Sequence, residues 1–280
     1  MVLVTGPTGS GKSTSLFSVL TILNKPTVNI STVEDPVEYK IPGVNQTQVN
    51  PKAGMTFVNG LRALLRQDPN IIMVGEVRDS ETANLAIQAA LTGHLVFSTL
   101  HTNNAATSLP RLLDMSIEPF LIASTIRAVI GQRLVRKLCT TCRTSYAPTA
   151  EEQIELIHTF GLTSGVTTLH LLEAQAASQG VGSSTGESLS TTEENIIRLW
   201  GATPQGCNEC NHTGYKGRIG IYEALENTLA IQKLIVGNAT SDAIQTQAIK
   251  DGMITMQTDG LVKVLRGETS VEEILRATRE

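Results

Sequence analysis

The stretch Gly6–Thr14, which reads GPTGSGKST, constrains the fold of this chain more than any other feature. It matches the phosphate-binding loop pattern G-x-x-x-x-G-K-[ST], in which glycines let successive backbone N–H groups point at phosphate oxygens. An apolar run, Val2–Thr5, precedes it, and a segment with helical character, Ser13–Leu23, follows it. This strand–loop–helix context predicts an α/β fold with a nucleotide-phosphate site beside its first strand.

Each loop residue has an expected part in binding the nucleotide. Lys12 brings a mobile positive charge to the β- and γ-phosphates, and the Ser13 hydroxyl is placed to bind Mg²⁺. The N-terminus of the following helix adds the positive end of its dipole. The expected ATP-binding residues are Gly6, Pro7, Thr8, Gly9, Ser10, Gly11, Lys12, Ser13 and Thr14.

The overall composition excludes several classes of protein. With 280 residues the chain is long enough for roughly two domains. It has no apolar run of the length that a transmembrane helix needs. A net charge of −4 and an aromatic share of 4% argue against a basic, base-stacking surface for nucleic acid. Because the chain starts at the first strand of a nucleotide-binding core, with no signal peptide before it, we expect a fragment of a longer protein.

Acidic residues follow two predicted strands downstream of the loop. Thr27–Val33 leads into the cluster Glu34–Glu38, and Ile71–Val74 leads into Glu76. An apolar strand that ends in a carboxylate downstream of a phosphate loop is typical of the Walker B motif, whose acid holds the Mg²⁺ shell or orients water. We favour Glu76 over Asp79 for this role because it comes first after the strand.

Histidines and arginines supply further candidates. His94 and His101 flank the predicted strand Leu95–Leu100, and His101 comes at its carboxyl end, where ligands bind in open parallel sheets. We expect His101 to sense the γ-phosphate. Arg62 and Arg66 share one face of a predicted helix, Thr56–Arg66, and either are solvated or face phosphate or an acidic neighbour.

Alternating strands and helices fill the first half of the chain, and helices fill its last part. The pattern predicts a helix over Ser80–Leu91 capped by Ser80, a helix over Asn104–Met115 that Pro110 kinks or delays, and a long helix over Glu118–Lys137. The C-terminal helices are expected at Thr228–Val236, Ser241–Asp251, Thr255–Arg266 and Ser270–Thr278.

Four cysteines form two C-x-x-C pairs, and no cysteine is left over. The pairs are Cys139/Cys142 and Cys207/Cys210. This pattern indicates a closed zinc site of structural type, with a redox pair or metal-free thiols as the alternative. Between the pairs, residues 174–192 are rich in Gly, Ser, Thr and Gln and are expected to be a disordered insertion. We therefore predict an ATPase core over 1–137, a zinc-binding subdomain over 138–216 and a helical subdomain over 217–280.

Taken together, the motifs resemble those of the secretion ATPases of type II secretion and type IV pilus assembly, in the extension-motor branch. GPTGSGKST is similar to the Walker A motif of that family, TVEDPVEY (32–39) to its Asp box, and GLRALLRQDPNIIMVGEVRD (60–79) to its arginine-bearing helix and Walker B motif. TGHLVFSTLHTN (92–103) resembles the His box. The two cysteine pairs resemble the metal-binding insertion of the extension motors, which retraction motors usually lack.

The resemblance implies a RecA-like ATPase and assigns further roles to residues. It implies that Glu38 activates water, that Glu76 is the Walker B acid, and that His94 and His101 are the His-box histidines. Arg62, Arg66 and Arg78 correspond to arginines near the nucleotide or the subunit interface. ATP, Mg²⁺ and Zn²⁺ are the implied cofactors. The family's preceding domains are absent from this chain, so we expect the fragment alone to hydrolyse ATP slowly.

The resemblance also implies the partners and the location. They are a hexameric ring, a cytoplasmic position on the inner face of the cytoplasmic membrane, and an inner-membrane platform protein among other secretion or pilus components. No direct contact with nucleic acid is expected. Two alternatives remain from the residues alone: a phosphate-loop nucleic-acid motor or binding module, and a phosphate-loop kinase. The sequence does not distinguish a pilus system from a secretion system.

Overall fold

The computed structural model describes residues 1–161, 196 and 198–278. The expected insertion at 174–192 lies outside these residues. The strands are β1 Val2–Thr5, β2 Ile30–Glu34, β3 Asn45–Gln48, β4 Ile71–Val74, β5 Leu95–Leu100, β6 Ala128–Leu138, β7 Thr144–Tyr146, β8 Leu199–Gly201 and β9 Tyr215–Glu226. The helices are α1 Lys12–Leu23, α2 Phe57–Leu64, α3 Ser80–Leu91, α4 Ser108–Asp114, α5 Pro119–Thr125, α6 Ala150–Thr159, α7 Leu229–Val236, α8 Ser241–Lys250, α9 Met256–Leu265 and α10 Val271–Thr278.

Seven strands form one sheet in the order β3-β2-β4-β5-β1-β6-β9. The pairs β1/β5, β1/β6, β2/β3, β2/β4 and β4/β5 are parallel. Their carboxyl ends therefore share one edge of the sheet, which is where open α/β sheets bind ligands. This arrangement confirms the predicted α/β class with a mostly parallel sheet.

The first compact unit contains residues Met1–Arg133 and Glu223–Ile254. Its central strands, β1, β2, β4 and β5, are buried on both faces, as parallel strands covered by helices usually are. Leu3 and Ile72 pack in a cluster on one face, whereas Val4 and Met73 pack with α1 on the other. This double burial explains why β1, β4 and β5 read as largely apolar runs and have their predicted bounds.

The second compact unit contains residues Leu134–Tyr222 and Thr255–Glu280. Its described residues form a separate apolar cluster, which includes Val135, Leu156, Ile221, Leu261 and Ile274. The short antiparallel pair β7/β8 also belongs to it. The three-part division into 1–137, 138–216 and 217–280 stays a prediction.

The predicted long helix over Glu118–Lys137 is wrong. A short helix, α5, ends at Thr125, and the chain continues as β6 from Ala128. Val129 and Ile130 are β-branched and favour a strand, and Gly131 disfavours a helix. Pairing with β1, with Thr5 opposite Gly131, decides the outcome.

Other differences concern element boundaries. β2 begins at Ile30 rather than Thr27, and β9 was not predicted at all. Helix α3 is capped by Asp79 rather than Ser80, because the Asp79 carboxylate accepts the Thr82 N–H at 2.8 Å. Pro110 delays the start of its helix, as expected: α4 begins at Ser108, so Pro110 lies in the first turn, where a missing N–H costs nothing.

Candidate functional site

At two positions of the phosphate-binding loop between β1 and α1, the backbone conformation or its surroundings admit only glycine. Gly6 has a φ of +146°, and a Cβ added there would lie 2.3 Å from the carbonyl oxygen of Gln132. Gly11 starts α1 with a φ of +86°, in the left-handed region. The backbone can therefore curl tightly between β1 and α1, as phosphate binding requires.

Lys12 is the first residue of α1, and its ammonium group lies inside the loop. Its Nζ donates to the carbonyl oxygens of Gly6 at 2.7 Å and Pro7 at 3.1 Å. Burial lowers the pKa of Lys12, and the neighbouring charge of Glu76 opposes that shift. A bound phosphate would supply further negative charge to this ammonium.

The loop has the features expected of an anion cradle. Pro7, Thr8 and Gly9 are exposed to solvent. The buried Ser10 hydroxyl has no hydrogen-bond partner among the described residues. An unpartnered buried hydroxyl beside a helix N-terminus and a lysine fits a phosphate ligand.

Glu76 lies two residues beyond β4 at the same edge of the sheet. It is buried, and its Oε2 accepts a hydrogen bond from Arg78 Nε at 2.5 Å. The same oxygen lies 3.4 Å from His101 Nε2, at the end of β5. Three candidates from three strand ends, Lys12, Glu76 and His101, thus lie in one place, together with Arg78.

Asp79, the alternative to Glu76, is occupied elsewhere. Its two carboxylate oxygens accept from the backbone N–H and the hydroxyl of Thr82, at 2.8 and 2.9 Å. This is a helix cap, so the geometry favours Glu76 as the acid that faces the loop.

Gln132 supports the phosphate-binding loop, and sequence reasoning did not single it out. The buried side chain donates from Nε2 to the Ser10 carbonyl oxygen and accepts from the Ser15 hydroxyl, both at 2.8 Å. It therefore connects the loop to the first turn of α1. A glutamine carries no motif signal, and the wrong helix prediction for this segment concealed that β6 runs beside β1.

Hydroxyl groups connect the ends of β1 and β5. The Thr5 hydroxyl donates to the carbonyl oxygen of Thr102 at 3.0 Å and accepts from the Thr102 N–H at 3.1 Å. The Thr102 hydroxyl lies 2.7 Å from that of Ser108. Thr5 precedes Gly6 and Thr102 follows His101, so these hydrogen bonds hold the phosphate-binding loop and His101 close together.

Four of the sequence-predicted residues make no hydrogen bond or ion pair with this cluster among the described residues. Glu38 is exposed and makes no side-chain hydrogen bond among the described residues. Arg62 pairs with Glu81 at 2.8 Å on the surface, and Arg66 is exposed. His94 lies at the opposite end of β5 from His101, where its Nδ1 is 2.9 Å from the Ala89 carbonyl oxygen at the end of α3. The roles of all four stay predictions.

The four cysteines converge in the second unit. All their Sγ atoms lie within 4.8 Å of one another. The Sγ separations Cys139–Cys207, Cys142–Cys210 and Cys207–Cys210 are each 3.8 Å. Tetrahedral ligands about 2.3 Å from a common zinc ion are about 3.8 Å apart, so the cluster has the dimensions of a zinc site.

Backbone N–H groups also suit the cluster to thiolate ligands. The Cys210 sulfur accepts from the N–H groups of Cys207 and Gly214, both at 3.2 Å. Donation by Cys207 is the main cause that lowers the pKa of the Cys210 thiol to about 6. Among residues 1–161, 196 and 198–278, these four cysteines are the group of three or more His, Cys, Asp or Glu side chains that could together hold a metal ion.

Comparison with models of protein families gives a match over almost the whole chain. A model of the family described as "Type II/IV secretion system protein" matches residues 1–276. The chain belongs to this family. The motifs quoted above, from the phosphate loop to the cysteine pairs, all fall within the matched range.

Curated members of the type II/IV secretion system family are similar over the whole chain. Type II secretion system protein E of Aeromonas hydrophila is 46% identical over 280 residues, which cover 100% of this chain and 49% of that protein. The type IV pilus assembly ATPase PilB of Pseudomonas aeruginosa is 45% identical over 280 residues and is covered to 44%. The chain thus spans about half the length of these relatives.

The fold is also similar to that of a solved structure. The crystal structure of the pilus retraction motor PilT with bound ADP superposes with a TM-score of 0.65 at 27% identity. The similarity covers 100% of this chain and 61% of PilT.

Among the helices of the described residues, none is both long and apolar enough to cross a bilayer.

Proposed function

We propose that this chain is the ATP-hydrolysing part of a motor that drives pilin or pseudopilin assembly, in type IV pilus biogenesis or type II protein secretion. Membership of the secretion family and relatives named as ATPases support this function. The observation that carries it is the meeting of Lys12, Glu76 and His101 at the carboxyl edge of the sheet.

The phosphate-binding loop, Gly6–Thr14, would hold the ATP phosphates. Lys12 would contact the β- and γ-phosphates, and Ser13 and Glu76 would hold Mg²⁺ or its water ligands. When bound, Mg²⁺ neutralises phosphate charge. His101 lies 3.4 Å from the same Glu76 oxygen that binds Arg78 and would respond to the state of the γ-phosphate.

The remaining residues complete the proposed reaction. Glu38 would orient the water that attacks the γ-phosphate. Arg62, Arg66, Arg78 and His94 would act near the nucleotide or at a subunit interface. Because Arg62 pairs with Glu81 and His94 lies at the opposite end of β5 from His101, we infer that assembly with other subunits contributes to the full site.

We propose further that the protein works as a cytoplasmic hexamer on the inner face of the cytoplasmic membrane. Its partners would be an inner-membrane platform protein and other components of the machinery. The tetracysteine cluster would hold one structural Zn²⁺, because all four positions of a tetrahedral ion are filled by protein ligands. Light scattering of the purified protein measures the number of subunits.

Replacement of Lys12 tests the proposed activity. We expect Lys12→Ala to reduce ATP turnover at least about a hundredfold, because it removes a charge that is aimed at the transferred phosphoryl group. Lys25→Ala is the matched control, since Lys25 is exposed just beyond the end of α1. Turnover that is unchanged in Lys12→Ala, or reduced equally in both variants, contradicts the proposed function.

A further inference from the structure

The loop that carries Glu38 is held at its base, and this arrangement suggests how the residue is positioned. We call residues 35–40 the acidic loop. It connects the end of β2, at Glu34, to Ile41. Within the described residues, no side-chain hydrogen bond holds Glu38 itself. Its position therefore depends on what fixes the two ends of the loop.

Both ends of the acidic loop are anchored. Glu34 is buried, and its Oε1 accepts from the Thr32 hydroxyl at 2.6 Å. At the other end, Ile41 is buried in the apolar cluster that contains Leu16 of α1. Asn24 donates from Nδ2 to the Pro42 carbonyl oxygen at 2.7 Å, which adds a polar contact at this end.

Gln46, in the edge strand β3, joins these two ends. Its Nε2 donates to Glu34 Oε1 at 3.0 Å and to the Tyr39 carbonyl oxygen at 2.9 Å. Its Oε1 accepts from the Ile41 N–H at 2.7 Å. One amide group thus uses both donor hydrogens and its acceptor oxygen to close the loop. The donation to Glu34 is the stronger kind, because the acceptor is a carboxylate.

Two further contacts hold residues within the acidic loop itself. The Tyr39 ring packs edge-on against Phe17 of α1, with ring centroids 5.2 Å apart. Gln48 Oε1 accepts from the Val37 N–H at 3.3 Å. Since α1 begins with Lys12, the packing of Tyr39 relates the loop to the same helix that carries the phosphate-binding lysine.

We propose that Gln46 is a positioning residue for catalysis. Its hydrogen bonds to Glu34, Tyr39 and Ile41 hold both ends of the acidic loop and so fix the position of the Glu38 carboxylate. This inference rests on the proposed function, in which Glu38 orients the attacking water. Gln46 makes no contact with Gly6–Thr14 among its hydrogen bonds, so its loss should affect the chemical step rather than nucleotide binding.

Gln46→Met in the assembled protein tests this role, because methionine keeps the side-chain length and removes all three hydrogen bonds. We expect kcat for ATP hydrolysis to fall at least about tenfold, because misplacement of a catalytic group by about an ångström can cost up to about a hundredfold in rate. KM for ATP and the Kd of a fluorescent ADP analogue should change less than about threefold. Amide hydrogen exchange in a peptide covering residues 35–44 should become faster, since the Ile41 N–H loses its acceptor.

Asn45→Ala is the matched control. Asn45 is the adjacent residue of β3, and its Nδ2 donates to Asn29 rather than to the acidic loop. We expect this variant to keep wild-type kcat and wild-type exchange in 35–44. A purely structural role of Gln46 would lower thermal stability without changing kcat, and that result overturns the inference.

The inference and the proposed function can fail separately. If Gln46→Met loses kcat while exchange in 35–44 stays at the wild-type rate, the bridge does not hold the loop and the inference is wrong. If the wild-type protein hydrolyses no ATP, the proposed function fails. The exchange comparison with Asn45→Ala then still decides whether Gln46 holds the loop.

Discussion

At the scale of single residues, Gln132 shows how one amide group can prepare a phosphate site. It is 2% exposed and bonds at one end to the Ser10 carbonyl oxygen and at the other to the Ser15 hydroxyl. Those two residues enclose Gly11–Thr14. The curl of the loop is therefore supported from β6 even without a nucleotide, which reduces the ordering that binding would otherwise require.

We expect Gln132→Leu to weaken nucleotide binding about tenfold. Leucine keeps most of the volume but leaves the Ser10 carbonyl oxygen without this partner, and the loss of such a bond costs roughly 1–3 kcal/mol. The Kd of a fluorescent ADP analogue, measured by titration, checks this. Gln88→Leu is the control, because Gln88 is exposed on α3. A drop in melting temperature with an unchanged Kd would contradict the expectation.

At the scale of elements, a buried carboxylate attaches α10 to β6 within the second unit. Glu273 is 1% exposed and accepts from the Arg136 N–H at 2.9 Å and from Arg136 Nη2 at 2.7 Å. Arg276 adds two hydrogen bonds from the next turn of α10. Although burial acts to raise it, these hydrogen bonds lower the pKa of Glu273 from 4.5 to about 2.

The lowered pKa predicts a particular pH dependence of stability. The folded state favours the ionised carboxylate, so the stabilisation is complete above about pH 4.5 and is lost as the pH falls toward about 2. We expect Glu273→Gln to lower the free energy of unfolding at neutral pH by about 1–3 kcal/mol, and the difference from wild type to shrink below pH 4.5. Urea unfolding across this range measures it.

The adjacent residue supplies a control for this experiment. Glu272 is exposed, so Glu272→Gln should leave the free energy of unfolding nearly unchanged at every pH. If Glu273→Gln differs from wild type by the same amount at pH 7 and at pH 3, the carboxylate does not cause the acid sensitivity.

The sequence predicted elements well where a local pattern decides them. β4 is a continuous buried run and β5 is buried after Leu95, and both have their predicted bounds. Thr56 caps α2 by accepting the Asn59 N–H. β6 was predicted as a helix because its pairing with β1 joins residues more than a hundred positions apart. In β9, Ile221, Glu223 and Leu225 are buried and alternate with exposed Tyr222 and Ala224. Because a glutamate is buried and a tyrosine is exposed, this alternation does not show as a polar/apolar pattern in the sequence.

The main residues of the candidate site were also predictable from local patterns in the sequence. Lys12, Glu76 and His101 each follow a recognisable strand, and parallel strands bring their carboxyl ends to one edge. The supporting amides, Gln46 and Gln132, could not be predicted. Neutral side chains of this kind have no motif, and their importance depends on which backbone groups the folded chain places beside them.

At the scale of the whole molecule, the cysteine cluster joins segments that are far apart in the sequence. Cys139 and Cys207 are 68 positions apart, as are Cys142 and Cys210. A metal ion that binds all four closes these long loops and should stabilise the second unit. We expect elemental analysis to find about one zinc per chain and expect chelation to lower the melting temperature by several degrees.

Two variants sharpen this prediction. Cys207→Ser should lose the metal, whereas His212→Ala should retain it, because the His212 Nδ1 contacts the Gln205 carbonyl oxygen at 3.2 Å and lies outside the sulfur cluster. Wild-type protein that contains no zinc, with a melting temperature insensitive to chelators, would show that the thiols serve another purpose.

The pleat of β6 also limits how this chain can vary. Gln132 bonds to the phosphate-binding loop, while the next residue, Arg133, donates to the Asn103 carbonyl oxygen, two residues beyond His101. Successive side chains of a strand point to opposite faces, so deletion of one residue before Gln132 would exchange the two assignments. Length changes in this strand should therefore be tolerated only in steps of two residues, which keep each side chain on its own face of the sheet.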